Sequence, residues 1–304
     1  MIALLCPGQG AQHPGLLRTA AQLSGGAELL AEARDVLRLD VLSEDGYPAL
    51  DRTDVVQRNT FLASVASAHA LEAAGLRISA VAGHSIGAFA AAVFARVLTF
   101  SDALRLVDVR GRSMAAAFGS GYAMGAVTGL NERTVAAIVL EARDVFIAAE
   151  NAPDQITIAG TLAGVERALE EARLRGARTA RRLEVTVPSH TPFMLPIRDL
   201  LRDAVCEVRL SRPIVPYAAN GDGRAKFEAS DVATDLVESV AAPVRWFEST
   251  QMLYERGARV FVEALPGDTL ATLAATAFPD ATVLSVQNSG IAGAAARATN
   301  IAAG

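Results

Sequence analysis

A five-residue turn between an apolar run and an alanine-rich segment constrains the fold of this chain more than any other feature. Gly83-His84-Ser85-Ile86-Gly87 fits the pattern G-x-S-x-G, follows the apolar residues 78–82 and precedes residues 88–97, which have strong helix propensity. In this pattern the serine occupies a sharp turn from a strand into a helix, where neighbouring Cβ atoms would clash. We therefore predict an α/β protein in which Ser85 is a nucleophile and the Ile86 amide faces a developing oxyanion. The alternative is a glycine-lined turn that only packs.

The composition limits the classes of function. The 304 residues are 51% hydrophobic, which suffices for a globular core, and the net charge is −5. A mildly acidic chain lacks the clustered positive charge that nucleic-acid binding needs. The only lysine, Lys226, stands in a polar segment that we expect to be a surface loop. This position argues against a P-loop and against Schiff-base chemistry.

Signals for membranes, secretion and metals are weak. The apolar residues 88–95 end at Arg96, too early to cross a membrane, and residues 1–6 have no basic flank typical of a signal peptide. We therefore expect a cytoplasmic protein without membrane association. No two histidines stand at i, i+4, and Cys6 and Cys206 are far apart, so we expect no metal site and no permanently bound cofactor. Both cysteines have apolar, strand-like surroundings that predict burial.

Residues 122–188 form a unit with its own order of elements. The pattern predicts strands at 122–129, 145–150, 155–159 and 181–187, with one helix between the first two strands and another between the last two. This β-α-β-β-α-β order is the ferredoxin-like split motif. We predict a ferredoxin-like subdomain at 122–188, inserted into a larger α/β core formed by residues 1–121 and 189–304. The Ala/Gly-rich segment from Asn288 is expected to fray.

A serine nucleophile needs a base, and three histidines besides His84 are candidates. His69 lies within a helical pattern and is expected to be structural, whereas His13 follows a glycine turn and could lie near the site. His190 stands in Pro188-Ser189-His190-Thr191-Pro192, where the chain returns from the small subdomain to the core. We expect the two prolines to keep this backbone extended at a domain junction, where clefts are common. We favour His190 as the base, and the alternative is a histidine that only satisfies an interface.

A second glycine turn, Pro7-Gly8-Gln9-Gly10, follows the apolar residues 2–6. It does not fit the dinucleotide-binding pattern G-x-G-x-x-G, because His13 occupies the place of the third glycine. We expect this turn to present a backbone amide as the other half of an oxyanion hole.

Six segments of the chain occur in a fixed order between residues 2 and 285. They are Pro7-Gly8-Gln9-Gly10, Gly83-His84-Ser85-Ile86-Gly87, Arg110-Gly111, Asn151-Ala152-Pro153 with Ile158-Ala159-Gly160, Ser189-His190, and Pro243-Val244-Arg245-Trp246. In this order they resemble the malonyl-CoA:acyl-carrier-protein transacylases. The resemblance implies an α/β-hydrolase-like core with a ferredoxin-like insertion, in agreement with the order of elements above.

The resemblance also implies how the site would work. Ser85 would hold the malonyl group as an ester, and His190 would take the serine proton and return it to the departing thiol. Arg110 would bind the malonyl carboxylate, for which the planar fork of a guanidinium is suited. The thiol would belong to CoA or to a phosphopantetheine-type, dephospho-CoA-derived arm on an acyl-carrier protein.

The supporting residues follow from the same resemblance. The backbone amides of Gln9 and Ile86 would form the oxyanion hole. The family orients its histidine through a backbone carbonyl, which falls at Ser239 when the segments are aligned on Pro243. His84 and Asn151 belong to shared segments and are further supporting candidates.

One departure from the family pattern points to a particular branch. Ala88 stands where the family usually has an acidic residue after the serine turn. Together with Gly121-Tyr122-Ala123-Met124 and residues 253–259, it resembles the transacylase (epsilon) subunit of malonate decarboxylase. That branch loads a small carrier subunit and works with other decarboxylase subunits. The fatty-acid or polyketide transacylase is the alternative within the family.

Two questions stay open at this point. A serine esterase or thioesterase would also explain Ser85 and His190, but it would not need Arg110 or the inserted subdomain. The arginines of residues 173–182 could meet an acidic carrier, or they could form a solvated surface. Those arginines are Arg173, Arg175, Arg178, Arg181 and Arg182.

Overall fold

The computed structural model describes residues 1–303, which hold ten β-strands in two sheets and twelve α-helices. The strands are β1 Ile2–Cys6, β2 Ala80–Gly83, β3 Tyr122–Thr128, β4 Val145–Ala152, β5 Gln155–Thr161, β6 Thr179–Arg182, β7 Tyr217–Ala218, β8 Ala225–Lys226, β9 Val260–Glu263 and β10 Thr282–Ser285. The helices are α1 Leu16–Ala21, α2 Gly26–Leu37, α3 Thr53–Ala73, α4 Gly87–Phe94, α5 Phe100–Ala117, α6 Glu132–Ala142, α7 Leu162–Leu174, α8 Leu195–Cys206, α9 Ala229–Glu238, α10 Trp246–Glu255, α11 Thr269–Ala277 and α12 Val286–Ala303.

The larger sheet has the order β10-β9-β1-β2-β7-β8 and is parallel except for the edge strand β8. Cys6 is in register with Gly83, and Leu5 with Glu263. The carboxyl ends of β1, β2 and β9 therefore meet at one edge of the sheet. Polar residues that follow these strands are brought together there, as is usual for ligand sites of parallel sheets.

Helices cover both faces of this sheet, because its central strands are apolar on both sides. Leu4 and Val262 belong to the apolar cluster on one face, whereas Leu5 and Phe261 belong to the cluster on the other. Near-continuous apolar strands of this kind are typical of parallel sheets buried between two helical layers.

The smaller sheet is antiparallel and has the order β4-β5-β3-β6. Helices α6 and α7 pack on one face, where Val127 and Ile158 contribute to their shared core. Gly125 permits the close approach, since a Cβ there would lie 3.0 Å from a methyl carbon of Leu169. The α/β fold with a small ferredoxin-like subdomain is confirmed.

Backbone hydrogen bonds join the two sheets. Val244 donates to the carbonyl of Ala148 at 2.9 Å, and Glu150 donates to the carbonyl of Val244 at 2.8 Å. The segment that contains Pro243-Val244-Arg245-Trp246 thus fixes strand β4 against the larger core. As a result, the open face of the smaller sheet lies beside the carboxyl ends of β1, β2 and β9.

Several local expectations were wrong. Strand β6 ends at Arg182 rather than near residue 187, because after Leu183 the chain leaves the sheet towards Pro188. The segment from Asn288 does not fray: it belongs to α12, whose Ala294 and Ala298 pack into the core, although the helix kinks at Gly290.

The positions of Cys206 and Lys226 also differ from expectation. Cys6 is buried, but Cys206 is exposed, because it ends α8, which turns Ile197 and Leu201 towards the core. Lys226 lies in the short strand β8 rather than in a loop, paired with Tyr217 of β7. Within residues 1–303, none of the helices has the length and apolar character required to cross a membrane.

Candidate active site

The turn at Ser85 explains why glycine flanks it. A Cβ on Gly83 would lie 2.2 Å from the carbonyl oxygen of Gly87, and a Cβ on Gly87 would lie 2.1 Å from that of Cys6. Ser85 itself adopts φ = 54°, a left-handed conformation that is unfavourable for serine. Strain of this kind is often found at functional sites, where the surrounding structure enforces it. Here it holds Ser85 between β2 and the first turn of α4.

Asn220, which follows strand β7, holds the serine turn in place. Its Oδ1 accepts a hydrogen bond from the backbone N–H of Ser85 at 2.9 Å, and its Nδ2 donates to the carbonyl of Gly83 at 2.7 Å. Asp235 holds Asn220 in turn, because one of its oxygens accepts from the Asn220 N–H at 3.0 Å. The strained backbone of Ser85 is therefore held by buried hydrogen bonds that do not involve its hydroxyl.

His190 lies between Ser85 and a backbone carbonyl. Its Nε2 is 2.7 Å from Ser85 Oγ, and its Nδ1 is 2.6 Å from the carbonyl oxygen of Ser239. A carbonyl oxygen can only accept, so Nδ1 carries the proton and Nε2 is free to accept the proton of Ser85. The three residues thus have the relative positions of a nucleophile, its base and the group that orients the base.

The surroundings keep His190 uncharged. Burial, followed by the charge of the nearby Arg110 guanidinium, lowers the pKa of His190 to about 3. An imidazole that stays neutral at ordinary pH can accept a proton from Ser85.

Arg110 projects from α5 towards the serine. Its Nη2 donates to Ser85 Oγ at 3.0 Å, its Nη1 donates to Gln57 Oε1, and its Nε is buried without a hydrogen-bond partner. Gly111 allows the close approach of α5 to α3, since a Cβ there would lie 2.9 Å from the Cα of Asp54. This approach brings Gln57 within reach of the guanidinium.

The charge of Arg110 is uncompensated. The side chain is 2% exposed, burial lowers its pKa to about 10, and no carboxylate of residues 1–303 pairs with it. A buried cation without a partner is costly unless a ligand supplies the counter-charge. The Nε and Nη2 groups form one edge of the guanidinium fork, the edge with which an arginine binds a carboxylate through two parallel hydrogen bonds.

Two backbone amides near Ser85 are free to bind an oxyanion. Within the described residues, neither the N–H of Gln9 nor that of Ile86 donates a hydrogen bond. The two turns lie close together, because a Cβ on Gly8 would be 3.1 Å from the carbonyl oxygen of His84. The arrangement therefore leaves two donors unused beside the serine.

His84 and Asn151 connect the serine turn to the smaller sheet. The Nε2 of His84 is 3.0 Å from Asn151 Oδ1, and the Nδ2 of Asn151 donates to Thr157 Oγ1 at 3.0 Å. The ring of His84 also packs against that of Trp246, with 5.4 Å between centroids. These contacts orient side chains next to Ser85 rather than touch its hydroxyl.

A cleft of about 310 Å³ opens onto part of this arrangement, and Arg110 and Ile86 are not among the residues that line it. Ser85, His190 and Gln9 line it, together with the open face of the smaller sheet and the turn before α11. His13 and His69 do not line it: His13 contacts the carbonyl of its own neighbour Pro14, and His69 is half-buried on α3.

Gln57 and Asn220 are functional residues that were not predicted from the sequence. Asn220 could have been found, because it directly follows the apolar residues 214–219, and polar residues just after parallel strands meet at one edge of the sheet. Gln57 has no comparable signal, since only the packing of α5 against α3 shows that it contacts Arg110. No cluster of three or more His, Cys, Asp or Glu residues suited to a metal occurs in residues 1–303.

Comparison with known proteins gives a consistent picture. Residues 3–300 match the family model described as the acyl transferase domain. The malonyl CoA-acyl carrier protein transacylase of Salmonella typhimurium is 34% identical over 281 residues, covering 89% of this chain and 91% of that protein. The structure of the malonyl CoA-acyl carrier protein transacylase from Coxiella burnetii matches with a TM-score of 0.93 and 35% identity over 98% of both chains. A malonyl-transacylase in complex with its type II PKS acyl-carrier protein matches with a TM-score of 0.92 and 31% identity, over 97% of this chain and 99% of that one.

Proposed function

Because the chain belongs to the acyl transferase domain family and is an enzyme of the malonyl-CoA:acyl-carrier-protein S-malonyltransferase type, we propose that Ser85 carries the malonyl group between two thiols. The donor is malonyl-CoA, and the acceptor is the phosphopantetheine-type thiol of an acyl-carrier protein. The observation that carries the proposal is the unpaired, buried guanidinium of Arg110, which donates to the serine oxygen. An acyl group with a carboxylate close to its reactive carbonyl fits this arrangement.

The reaction proceeds in two half-reactions. Ser85 Oγ attacks the thioester carbon while His190 Nε2 takes the hydroxyl proton. The C–S bond then breaks, and His190 returns the proton to the departing thiol. In the second half-reaction the carrier thiol gives its proton to His190 and attacks the ester carbon, and the Ser85 oxygen leaves with that proton.

The remaining groups stabilise charge. The amides of Gln9 and Ile86 bind the oxyanion of each tetrahedral intermediate, which is the role their free N–H groups support. Arg110 binds the malonyl carboxylate, and the carbonyl of Ser239 keeps the imidazole of His190 in the useful tautomer. His84 and Asn151 hold the serine turn against the smaller sheet.

Hydrolysis is the competing function from another class. A serine esterase or thioesterase would use the same Ser85 and His190 but would release malonate to water. We expect the protein to convert malonyl-CoA and a carrier bearing its thiol arm into malonyl-carrier, with little malonate formed. Release of malonate at the same rate with and without the carrier would support the hydrolase instead.

We further propose that the carrier belongs to a malonate decarboxylase, with this chain as its transacylase (epsilon) subunit and the other decarboxylase subunits as partners. The support is the sequence: Ala88 replaces the usual acidic residue, and two segments resemble that branch. Ala88 is buried in the first turn of α4, where a carboxylate would require its own counter-charge. Carriers of fatty-acid or polyketide synthesis are the alternative, because the matched transacylases include one in complex with a polyketide carrier.

A comparison of acceptors separates these two possibilities. The transfer rate from malonyl-CoA is measured with the decarboxylase carrier bearing its dephospho-CoA-derived arm and with a fatty-acid carrier bearing phosphopantetheine. We expect the decarboxylase carrier to have the higher kcat/KM. Preference for the fatty-acid carrier would contradict the decarboxylase assignment and leave the malonyltransferase itself intact.

A further inference from the structure

One wall of the cleft is the face of the smaller sheet that α6 and α7 leave uncovered. Alternate residues of its strands point into the cleft, because successive side chains of a strand face opposite sides. The residues on this wall are Met124, Ala126, Ala149, Asn151, Gln155, Thr157 and Arg181. Among the described residues that line the cleft, Arg181 is the only lysine or arginine.

Arg181 differs from the other arginines of its segment. Arg173, Arg175, Arg178 and Arg182 each have an acidic partner: Glu170 at 2.9 Å, Glu171 at 2.6 Å, Asp154 at 3.0 Å and Glu166 at 3.6 Å, respectively. Arg181 is exposed and pairs with no carboxylate of residues 1–303. Four of the five arginines are therefore neutralised within the protein, and one cation is left for a ligand.

The chain after Arg181 runs along the cleft towards the catalytic groups. Leu183 and Val185 line the cleft at the next alternate positions, followed by Ser189 and His190. The wall thus changes from a cation at β6, through apolar side chains, to the base that faces Ser85. A CoA-type thioester has the same order of chemistry, with phosphate at one end, a pantetheine arm in the middle and the acyl group at the other.

We propose that Arg181 binds the phosphate that follows the pantetheine arm, both in CoA and on the carrier. This inference rests on the proposed malonyl transfer and adds the residue that recognises the far end of its substrate. The protein has a net charge of −5, which repels a polyanionic substrate. A single unpaired cation beside the cleft therefore has a large effect on the binding of that substrate.

The test compares two substrates that differ only beyond the arm. Steady-state transfer is measured with malonyl-CoA and with malonyl-pantetheine, which lacks the phosphates, for the wild type, Arg181→Ala and Arg182→Ala. We expect Arg181→Ala to raise KM for malonyl-CoA roughly tenfold, the usual scale of one charge-assisted contact, with kcat nearly unchanged. KM for malonyl-pantetheine should stay the same. Arg182→Ala is the matched control, because Arg182 is adjacent, exposed and paired with Glu166.

Salt and a conservative variant complete the test. Arg181→Lys should recover part of the affinity for malonyl-CoA, and added salt should reduce the difference between wild type and Arg181→Ala. An equal effect of Arg181→Ala on both substrates, or an equal effect of Arg182→Ala, would overturn the inference. Failure of the malonyl transfer itself is a different result, because no variant, the wild type included, would then form a malonyl ester.

Discussion

At the scale of single residues, we propose that Arg110 decides which acyl group Ser85 accepts. Its Nη1 is held by Gln57, its Nη2 contacts Ser85, and its Nε has no partner, so the edge formed by Nε and Nη2 has donor capacity left for a ligand. A malonyl carboxylate would compete with Ser85 for Nη2 and would satisfy Nε at the same time. Binding of the substrate would thus free the serine oxygen and compensate the buried charge together.

Replacement of this arginine should change selectivity as well as rate. We expect Arg110→Ala to cost about 2–5 kcal/mol in malonyl transfer, the range for loss of one partner of a buried charge pair. The use of acetyl-CoA relative to malonyl-CoA should rise, because an acetyl group makes no contact with the guanidinium. The measurement is kcat/KM for both thioesters. An unchanged ratio would mean that Arg110 is structural.

The same guanidinium should control the pH dependence of the serine. Burial and then the charge of Arg110 lower the pKa of His190 to about 3, so we expect the free enzyme to lose serine reactivity only in strong acid. Arg110→Gln removes the charge and should move this loss to higher pH. The measurement is the rate at which phenylmethylsulfonyl fluoride, an uncharged reagent, modifies Ser85 across pH. An acid limb at the same pH in both proteins would contradict the expected effect of the Arg110 charge on the pKa of His190.

The sequence pointed to the candidate reactive residues more directly than to the residues that contact and hold them. Ser85 lies in a motif whose spacing has a steric cause, and the family resemblance supplied Arg110. Gln57 and Asn220 were missed because each acts through a partner that is more than 50 positions away, and only the fold brings the pairs together.

At the scale of elements, the serine turn depends on its neighbours. Asn220, which follows β7, bonds both the N–H of Ser85 and the carbonyl of Gly83, and it is 2% exposed. Removal of its amide would leave the buried carbonyl of Gly83 and the partly buried N–H of Ser85 without partners. Such groups cost about 1–3 kcal/mol each.

Asn220→Ala should therefore weaken both the fold and the site. We expect a loss of about 2–4 kcal/mol in the free energy of unfolding and a fall in kcat, because the Ser85 backbone is no longer fixed. Chemical denaturation and malonyl-transfer kinetics measure the two effects. Asn300→Ala is the control, since Asn300 is exposed, makes no side-chain hydrogen bond among the described residues and should change stability by less than about 0.5 kcal/mol. Equal effects of the two variants would exclude the proposed role of Asn220.

Elements with a regular spacing of apolar residues were predicted well. Elements that depend on tertiary packing were not. The order of strands and helices in residues 122–182 followed from the periodicity of the apolar residues. The structure adds that the side chains of Asn131 and Thr161 accept hydrogen bonds from backbone amides at the starts of α6 and α7. Helix α12 was expected to fray because its composition is Ala/Gly-rich, yet Ala294 and Ala298 are small enough to pack closely against the core.

At the scale of the whole molecule, a buried carboxyl links stability to pH. Glu263 ends β9, is fully buried and accepts a hydrogen bond from the N–H of Ala271 at 2.6 Å, while its other oxygen has no partner. Burial raises the pKa of Glu263 from 4.5 to about 7. A raised acid pKa means that folding favours the protonated form, so this contribution is complete below pH 4.5 and is lost as pH rises through about 7.

Glu263→Gln removes this titration. We expect the stability of the variant relative to the wild type to rise between pH 5 and pH 8 by an amount on the order of 3 kcal/mol. The measurement is the free energy of unfolding by urea at several pH values. Glu255→Gln, a change at an exposed carboxylate, should leave the pH dependence as it is in the wild type. Parallel curves for wild type and Glu263→Gln would show that Glu263 is ionised throughout.

The most direct test of the account is the intact mass of the protein after brief mixing with malonyl-CoA, with Ser85→Ala treated in the same way. We predict that the wild type gains the mass of one malonyl group and that Ser85→Ala gains none while it keeps the wild-type far-UV circular dichroism. Addition of a carrier with a free thiol arm should then remove the adduct. A malonyl adduct on Ser85→Ala, or turnover of malonyl-CoA without an adduct on the wild type, would contradict a serine ester as the intermediate.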